Sequence, residues 1–147
     1  MYLLDTNHVS KLLEGQSRVV DQVARIGSGN ISVPFAVCGE LIYMACKSQR
    51  REANLQIVHR CLQKVLVIHS DYKLCAAYAD LKEAFIRRFG PRQARRRAAI
   101  RLHQIGTDEN DLWIAAAALR HNLILVSADS DFERIRMVRE FRLESWL

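Results

Sequence analysis

The first residues constrain the fold of this chain more than any other stretch. Tyr2–Leu4 is an apolar run without a polar break, which indicates a short strand buried on both faces. The run stops at Asp5. In open α/β sheets ligands bind just outside the carboxyl ends of the strands, so this position favours chemistry. Alternatively, Asp5 only caps a helix predicted from about Val9 to Leu13.

A second apolar run ends in the same way. Residues 123–127 read Leu-Ile-Leu-Val-Ser and predict another buried strand, which is followed by Asp129 and Asp131. Two strands of the predicted fold therefore each deliver an acid at their carboxyl end.

Two predicted helices offer further acids. Glu40 lies in a helix predicted over residues 35–47, and its neighbours at i±3 and i±4 are apolar: Ala36, Val37, Tyr43 and Met44. A glutamate inside an apolar stripe is costly unless a cation compensates it. Alternatively, Glu40 lies at the edge of the stripe and reaches water.

Asp111 is the second helical candidate. Thr107 or Asp108 can cap the helix that follows, and acids such as Asp108 and Glu109 are ordinary in a first turn. Asp111 instead starts the face that continues through the alanine run 115–118, which lets the helix lie close to the sheet. Its carboxylate is therefore expected near the strand ends.

Four carboxylates in one pocket would repel one another and raise their own pKa values unless a cation neutralised them. The four are Asp5, Glu40, Asp111 and Asp129. Oxygen ligands without paired His or Cys favour Mg²⁺ or Mn²⁺ over zinc. Such a site indicates metal-assisted attack of water on a phosphodiester.

Positive charge is concentrated in one segment. The chain has a net charge of +6, and residues 87–101 contain seven arginines and no acid: Arg87, Arg88, Arg92, Arg95, Arg96, Arg97 and Arg101. Solvated helix faces usually mix charge signs, so this cluster favours a polyanionic partner over a plain solvated face.

Length and composition bound the remaining possibilities. The 147 residues, 50% of them hydrophobic, predict a single domain over residues 1–147. Without a long apolar run, a cytoplasmic location and no membrane association are expected. Cys38, Cys46, Cys61 and Cys75 form no Cys-x-x-Cys pair and predict reduced thiols.

The remaining helices and strands are predicted from apolar periodicity, and their ends from Gly and Pro residues. Helices are expected over residues 17–26, 51–62 and 71–89, then through the arginine segment toward His103; strands are expected over residues 30–33, 65–68 and 141–146.

Several motifs in order along the chain make it resemble the PIN-domain ribonucleases, and more narrowly the VapC toxins of bacterial toxin–antitoxin pairs. The resemblance covers essentially the whole chain. Its motifs are Leu4-Asp5-Thr6-Asn7, Ser32-Val33 leading to Gly39-Glu40-Leu41, Asn110-Asp111-Leu112-x-Ile114-Ala115-Ala116, Leu125-Val126-Ser127-x-Asp129-x-Asp131-Phe132 and Arg142-Leu143-Glu144-x-Trp146.

This resemblance implies a three-layer α/β/α fold with a central parallel sheet of about four to five strands. It implies that the four acids bind one or two Mg²⁺ or Mn²⁺ ions, with support from Asn7, Thr6, Ser127 and, as an alternative ligand, Asp131. It also implies an endoribonuclease that cleaves single-stranded or loop RNA, often transfer or ribosomal RNA, a homodimer, and inhibition by a cognate VapB antitoxin.

Two other classes are compatible with parts of the sequence. A phosphoacceptor receiver domain also gathers acids around magnesium, but it needs a lysine on a late strand, and no lysine follows Arg101. A non-catalytic nucleic-acid-binding module would use the arginine segment and keep the acids as helix caps. It explains Asp108 and Glu109 but leaves Glu40 unexplained.

Overall fold

A parallel sheet of five strands forms the centre of the molecule. The computed structural model describes residues 1–147. The strands are β1 (Tyr2–Leu4), β2 (Ile31–Pro34), β3 (Leu66–Ile68), β4 (Ile124–Val126) and β5 (Leu143–Glu144). Their spatial order is β3-β2-β1-β4-β5, and every neighbouring pair is parallel. The predicted parallel sheet of four to five strands is confirmed.

Eight α-helices flank this sheet and complete the predicted α/β/α arrangement. They are α1 (Thr6–Leu13), α2 (Ser17–Ile26), α3 (Phe35–Cys46), α4 (Arg51–Leu62), α5 (Tyr72–Phe89), α6 (Ala94–Ala99), α7 (Glu109–His121) and α8 (Ser130–Arg136). All of them are too short or too polar to form a transmembrane span.

The two central strands carry the candidate site. In β1 and β4 the side chains of Leu3, Leu4, Leu125 and Val126 are fully buried, as the apolar runs predicted. Leu3 pairs with Leu125, and Leu4 with Val126, so both strands end at the same edge of the sheet. Because the two strands are parallel neighbours, the polar residues that follow them meet in space.

Helix α7 packs closely beside these strands. Its alanines from Ala115 to Ala118 are buried, and the helix contacts β2, β4, α3 and α5. Since alanine side chains extend little from the backbone, the first turn of α7 comes close to the strand ends, as the alanine run predicted.

Several predicted boundaries are wrong. Helix α1 begins at Thr6 rather than near Val9, because Asp5 caps it directly. The helix expected toward His103 stops at Ala99 and is followed by a 3₁₀ turn, Leu102–Ile105. Like charges at i,i+4 spacing disfavour a longer helix there. The C-terminal strand is limited to β5, and the seven-residue helix α8 was not predicted.

Gly106 is required where the 3₁₀ turn meets the start of α7. Its φ is +79°, and a Cβ atom would lie 3.1 Å from the guanidinium carbon of Arg134. That guanidinium donates to the carbonyl of Ile105 (2.7 Å) and lies over the ring of Phe89. We expect Gly106→Ala to lower the free energy of unfolding by roughly 1–2 kcal/mol, measured by urea denaturation.

Gly29→Ala is the matched control for this substitution. Gly29 has no positive φ and no atom within 4 Å of an added Cβ, so its replacement should be nearly neutral. Equal unfolding midpoints for the two variants would contradict the assigned role of Gly106.

Candidate active site

An acidic cavity of about 260 Å³ opens at the carboxyl ends of β1 and β4. The four acids predicted from the sequence all line it, and so do two others. No lysine or arginine is among the lining residues. The six acids are Asp5, Glu40, Asp108, Asp111, Asp129 and Asp131. The fold therefore concentrates carboxylates in one place, and no basic side chain lines the cavity with them.

Asp5 is the most tightly held of these acids. The residue is only 3% exposed, and its Oδ1 accepts hydrogen bonds from the backbone N–H of His8 (2.7 Å) and from Nδ1 of the same residue (2.9 Å). Its Oδ2 accepts from the hydroxyl of Ser127 (2.5 Å). Asp5 thus caps α1, as the alternative interpretation held, and also lines the cavity.

Ser127 links the two strand ends. Its Oγ donates to Asp5 and accepts from the backbone N–H of Asp129 (3.0 Å). The carboxylate of Asp129 in turn caps α8 by accepting from the backbone N–H of Asp131 (2.9 Å). The serine predicted as a supporting residue therefore contacts one predicted ligand directly and orients the backbone that carries another.

Glu40 faces the cavity, although the reason given for it from the sequence is wrong. Tyr43 and Met44 are 65% and 43% exposed, so the helix face around Glu40 is not a continuous apolar stripe. Glu40 instead lies at the edge of the buried face, half-buried. Its Oε2 accepts from the hydroxyl of Thr6, and its Oε1 accepts from Nδ2 of Asn110 (2.7 Å).

Asp111 has a strongly perturbed acidity. Burial, together with the charges of Asp108 and Asp129, raises the pKa of its carboxyl from an ordinary 3.8 to about 7. Burial and the charge of Asp129 also raise the pKa of Asp131. Asp108 caps α7 through a 3.0 Å bond from the backbone N–H of Asp111, as one of the two caps predicted. Both shifts are caused first by burial and then by the neighbouring carboxylates, which disfavour a further negative charge in the cavity.

Asn7 and Glu109 make no hydrogen bond to the acids of the cavity. Asn7 is exposed and lines the cavity without a side-chain hydrogen bond. Glu109, described above as an ordinary acid of a first helical turn, does not line the cavity: its carboxylate accepts from Nζ of Lys82 (2.6 Å) and from the hydroxyl of Tyr78. This ion pair joins α7 to α5.

Two residues that form hydrogen bonds to these acids were not predicted from the sequence. Asn110 belongs to the quoted motif, but its amide bond to Glu40 was not foreseen. His8 is fully buried and bonds to Asp5. Its position three residues after a helix-capping aspartate was a signal that could have identified it, because the first turn of a helix returns that side chain toward the cap.

The arginine segment lies outside the acidic cavity, and its members are not equivalent. Arg87 pairs with Glu83, and Arg97 donates to the backbone carbonyl of Arg92 (2.7 Å). Five arginines of the segment are exposed and have no acidic partner: Arg88, Arg92, Arg95, Arg96 and Arg101.

The donor set of the cavity fits a hard divalent cation. All its potential ligands are oxygens, and burial together with the charges of Asp108 and Asp129 raises the pKa of Asp111. No group of three or more His, Cys, Asp or Glu side chains is already arranged to hold an ion. The fit is therefore one of donor chemistry and charge.

Comparisons with known proteins give a consistent result. The family described as PIN domain matches residues 2–137. Ribonuclease VapC2 of Haemophilus influenzae is 28% identical over 147 residues, which cover 99% of this chain and 98% of that protein. Ribonuclease VapC1 of H. influenzae is 25% identical over 138 residues, which cover 92% of each chain.

Two solved structures with the same fold are VapBC complexes. DNA-bound VapBC from Salmonella typhimurium contains a chain that superposes with a TM-score of 0.81 at 22% identity, covering 99% of this chain and 98% of that one. VapBC-1 from nontypeable H. influenzae gives a TM-score of 0.75 at 23% identity, covering 99% and 97%. At these sequence identities, the structural similarity shows only that the fold is shared.

Proposed function

This chain belongs to the PIN domain family, and on that premise we propose that it is a metal-dependent endoribonuclease of the VapC type. The observation that carries the proposal is the cavity in which six carboxylates meet at the ends of β1 and β4, with no lysine or arginine in its lining. The relatives named ribonuclease VapC, which align over 92% or more of this chain, support the same activity. In this proposal the whole chain acts as one PIN domain.

The proposed ligands of Mg²⁺ or Mn²⁺ are Asp5, Glu40, Asp111 and Asp129. When bound, the metal would lower the pKa of a water molecule and offset charge growing on the phosphate. Ser127 fixes the Asp5 carboxylate, and Thr6 with Asn110 fixes that of Glu40.

Two further cavity residues have supporting roles in this proposal. Asp131 is an alternative ligand beside Asp129, and burial together with the charge of Asp129 raises the pKa of its carboxyl. Asn7, exposed at the edge of the cavity, is available to contact the substrate.

We further propose that the protein is the toxin of a toxin–antitoxin pair. Its relatives bear the name VapC, and the structures it resembles are VapBC complexes, some of them bound to DNA. The proposed partner is a VapB-type antitoxin that covers the acidic cavity. The proposed substrate is single-stranded or loop RNA, such as transfer or ribosomal RNA in the cytoplasm, and the proposed active form is a homodimer.

The direct test is cleavage of a mixture of transfer and ribosomal RNA by the purified protein. We expect discrete fragments with Mg²⁺ or Mn²⁺ and none with EDTA, and sequencing of the fragment ends would identify the target. RNA that is bound but uncut with either metal, in antitoxin-free protein, would favour the non-catalytic binding module instead.

The exposed arginines are proposed to contact the RNA backbone. Changing Arg92, Arg95, Arg96 and Arg101 to Gln should weaken RNA binding in EDTA, where RNA stays intact. Because each phosphate contact on single-stranded RNA contributes about 0.7 to the slope of log K against log salt, the slope should fall by up to about 3.

A matched control distinguishes contacts made by the arginine segment from an effect of the net charge of the protein. Arg18, Arg50, Arg51 and Arg60 are also exposed, and their replacement by Gln removes the same charge from α2, α4 and the residue before α4. We expect the salt slope to change much less in this control. Equal slopes for both quadruple variants would contradict a specific role for the arginine segment.

A further inference from the structure

Both ring nitrogens of the buried His8 are engaged, and they point in opposite directions. Nδ1 lies 2.9 Å from Oδ1 of Asp5, and Nε2 accepts a 3.3 Å hydrogen bond from the backbone N–H of Trp146. His8 is fully buried and is not among the residues that line the acidic cavity. It therefore reaches the cavity only through Asp5.

The contact with Trp146 fixes which nitrogen carries the ring proton. A backbone amide can only donate, so Nε2 of His8 must present its lone pair. The ring proton is then on Nδ1, where it is donated to the carboxylate of Asp5. The C-terminal backbone thus selects the tautomer that holds Asp5.

The C-terminal segment also supports the opposite side of the same carboxylate. The backbone N–H of Ser127 donates to the carbonyl of Glu144 (2.9 Å), and the hydroxyl of Ser127 bonds to Oδ2 of Asp5. His8 and Ser127 therefore hold the two oxygens of Asp5, and both are anchored to residues 144–146. The carboxylate is left with little rotational freedom.

We propose that His8 is a positioning residue that holds Asp5 in the orientation required to bind the metal. The inference rests on the proposed function, because it assumes that Asp5 is a metal ligand. Residues that hydrogen-bond to metal ligands and orient them typically contribute 10- to 100-fold to metal affinity. The competing explanation is that His8 only packs: its ring makes an edge contact with the ring of Trp146.

Two substitutions separate the two hydrogen bonds of His8. In His8→Asn the side-chain amide can occupy the place of Nδ1 and still donate to Asp5, but the Trp146 amide loses its acceptor. In His8→Gln the side-chain oxygen can occupy the place of Nε2 and accept from Trp146, but the donor to Asp5 is lost. Both variants keep the backbone bond from residue 8 to Asp5.

The experiment measures Mn²⁺ affinity by electron paramagnetic resonance and thermal stability by circular dichroism. We expect His8→Gln to bind Mn²⁺ about 10- to 100-fold more weakly than the wild type. We expect His8→Asn to bind it within a factor of a few of wild type although its Tm is lower. Affinities that follow the Tm across both variants would support packing alone and overturn the proposal.

Two further results keep this test separate from that of the proposed function. If the wild type and Asp5→Asn bind Mn²⁺ equally, the assignment of Asp5 to a metal site is wrong. If Asp5→Asn binds Mn²⁺ weakly but His8→Gln binds it like the wild type, only the role assigned to His8 is wrong. ¹⁵N NMR of the labelled wild-type protein reads the tautomer without any substitution. We expect a proton on Nδ1 and a bare Nε2, and a proton on Nε2 would overturn the proposal.

Discussion

Replacing Asp5 with Asn is expected to abolish RNA cleavage while the protein remains folded. The substitution removes one carboxylate from the proposed metal site, where a bound metal ion would supply several kcal/mol of transition-state stabilisation, so we expect RNA cleavage to slow by roughly 10³-fold or more. Asn is also a good helix cap, and its side-chain oxygen can still accept from the two His8 donors. The measurement is the initial rate of RNA cleavage in Mn²⁺, with circular dichroism of the same sample.

Asp71→Asn is the matched control for the loss of charge. Asp71 caps α5 by accepting from the backbone N–H of Leu74 (2.6 Å), and it does not line the cavity. This variant changes the same group in the same kind of helix cap and should cleave RNA at close to the wild-type rate. A folded Asp5→Asn protein with wild-type activity would contradict the assignment of Asp5 as a ligand.

Replacing Asp111 with Asn is expected to stabilise the metal-free protein above neutral pH. The folded state holds a proton on Asp111 up to about pH 7, whereas the unfolded chain releases it near 3.8. The folded state therefore binds more protons between these values, and wild-type stability falls as pH rises through that window. The stability gained by the variant should grow from about pH 4 and become constant above pH 7.

The size of this effect is limited by solvent screening. At about 1.4 kcal/mol per pKa unit the shift corresponds to at most about 4 kcal/mol, and partial exposure of the side chain reduces this to roughly 1–3 kcal/mol. For a chain of this length that is a rise in Tm of roughly 3–10 °C. The measurement is thermal unfolding in EDTA between about pH 4.5 and pH 8.

Asp21→Asn controls for the loss of charge on the whole molecule. Asp21 is exposed on α2, outside the acidic cavity, so its variant should track the wild type at every pH. Addition of Mn²⁺ should make the wild type more stable than Asp111→Asn, because only the wild type can gain stability by binding the ion through Asp111. A pH-independent difference between wild type and Asp111→Asn would contradict the account of its raised pKa.

The strand-end acids were predictable because they depend on local sequence. An apolar run that stops at a carboxylate specifies both a buried strand and the direction of the next side chain, so Asp5 and Asp129 could be assigned to one edge of the sheet. Asp111 followed from the alanine run that brings α7 close to the sheet. The structure brings all these side chains to one cavity, and their catalytic roles stay predictions.

The remaining parts of the site depend on contacts between distant segments. Glu40 was predicted from an apolar stripe that is buried on one side only. Its carboxylate bonds instead to Thr6 and to Asn110, which is seventy residues away. The pairing of Glu109 with Lys82 and of His8 with Trp146 also joins distant positions. Helix periodicity and capping rules describe only neighbours along the chain, so none of these pairs could be predicted from them.

The most direct test of the proposed metal site is anomalous X-ray diffraction from crystals of the protein soaked in Mn²⁺. We expect an anomalous peak inside the acidic cavity, within ligand distance of Asp5 and Asp111, that disappears in crystals of Asp5→Asn. Protein that cleaves RNA in Mn²⁺ but shows no peak in this cavity at saturating Mn²⁺, or shows one only elsewhere, would contradict the proposed metal site.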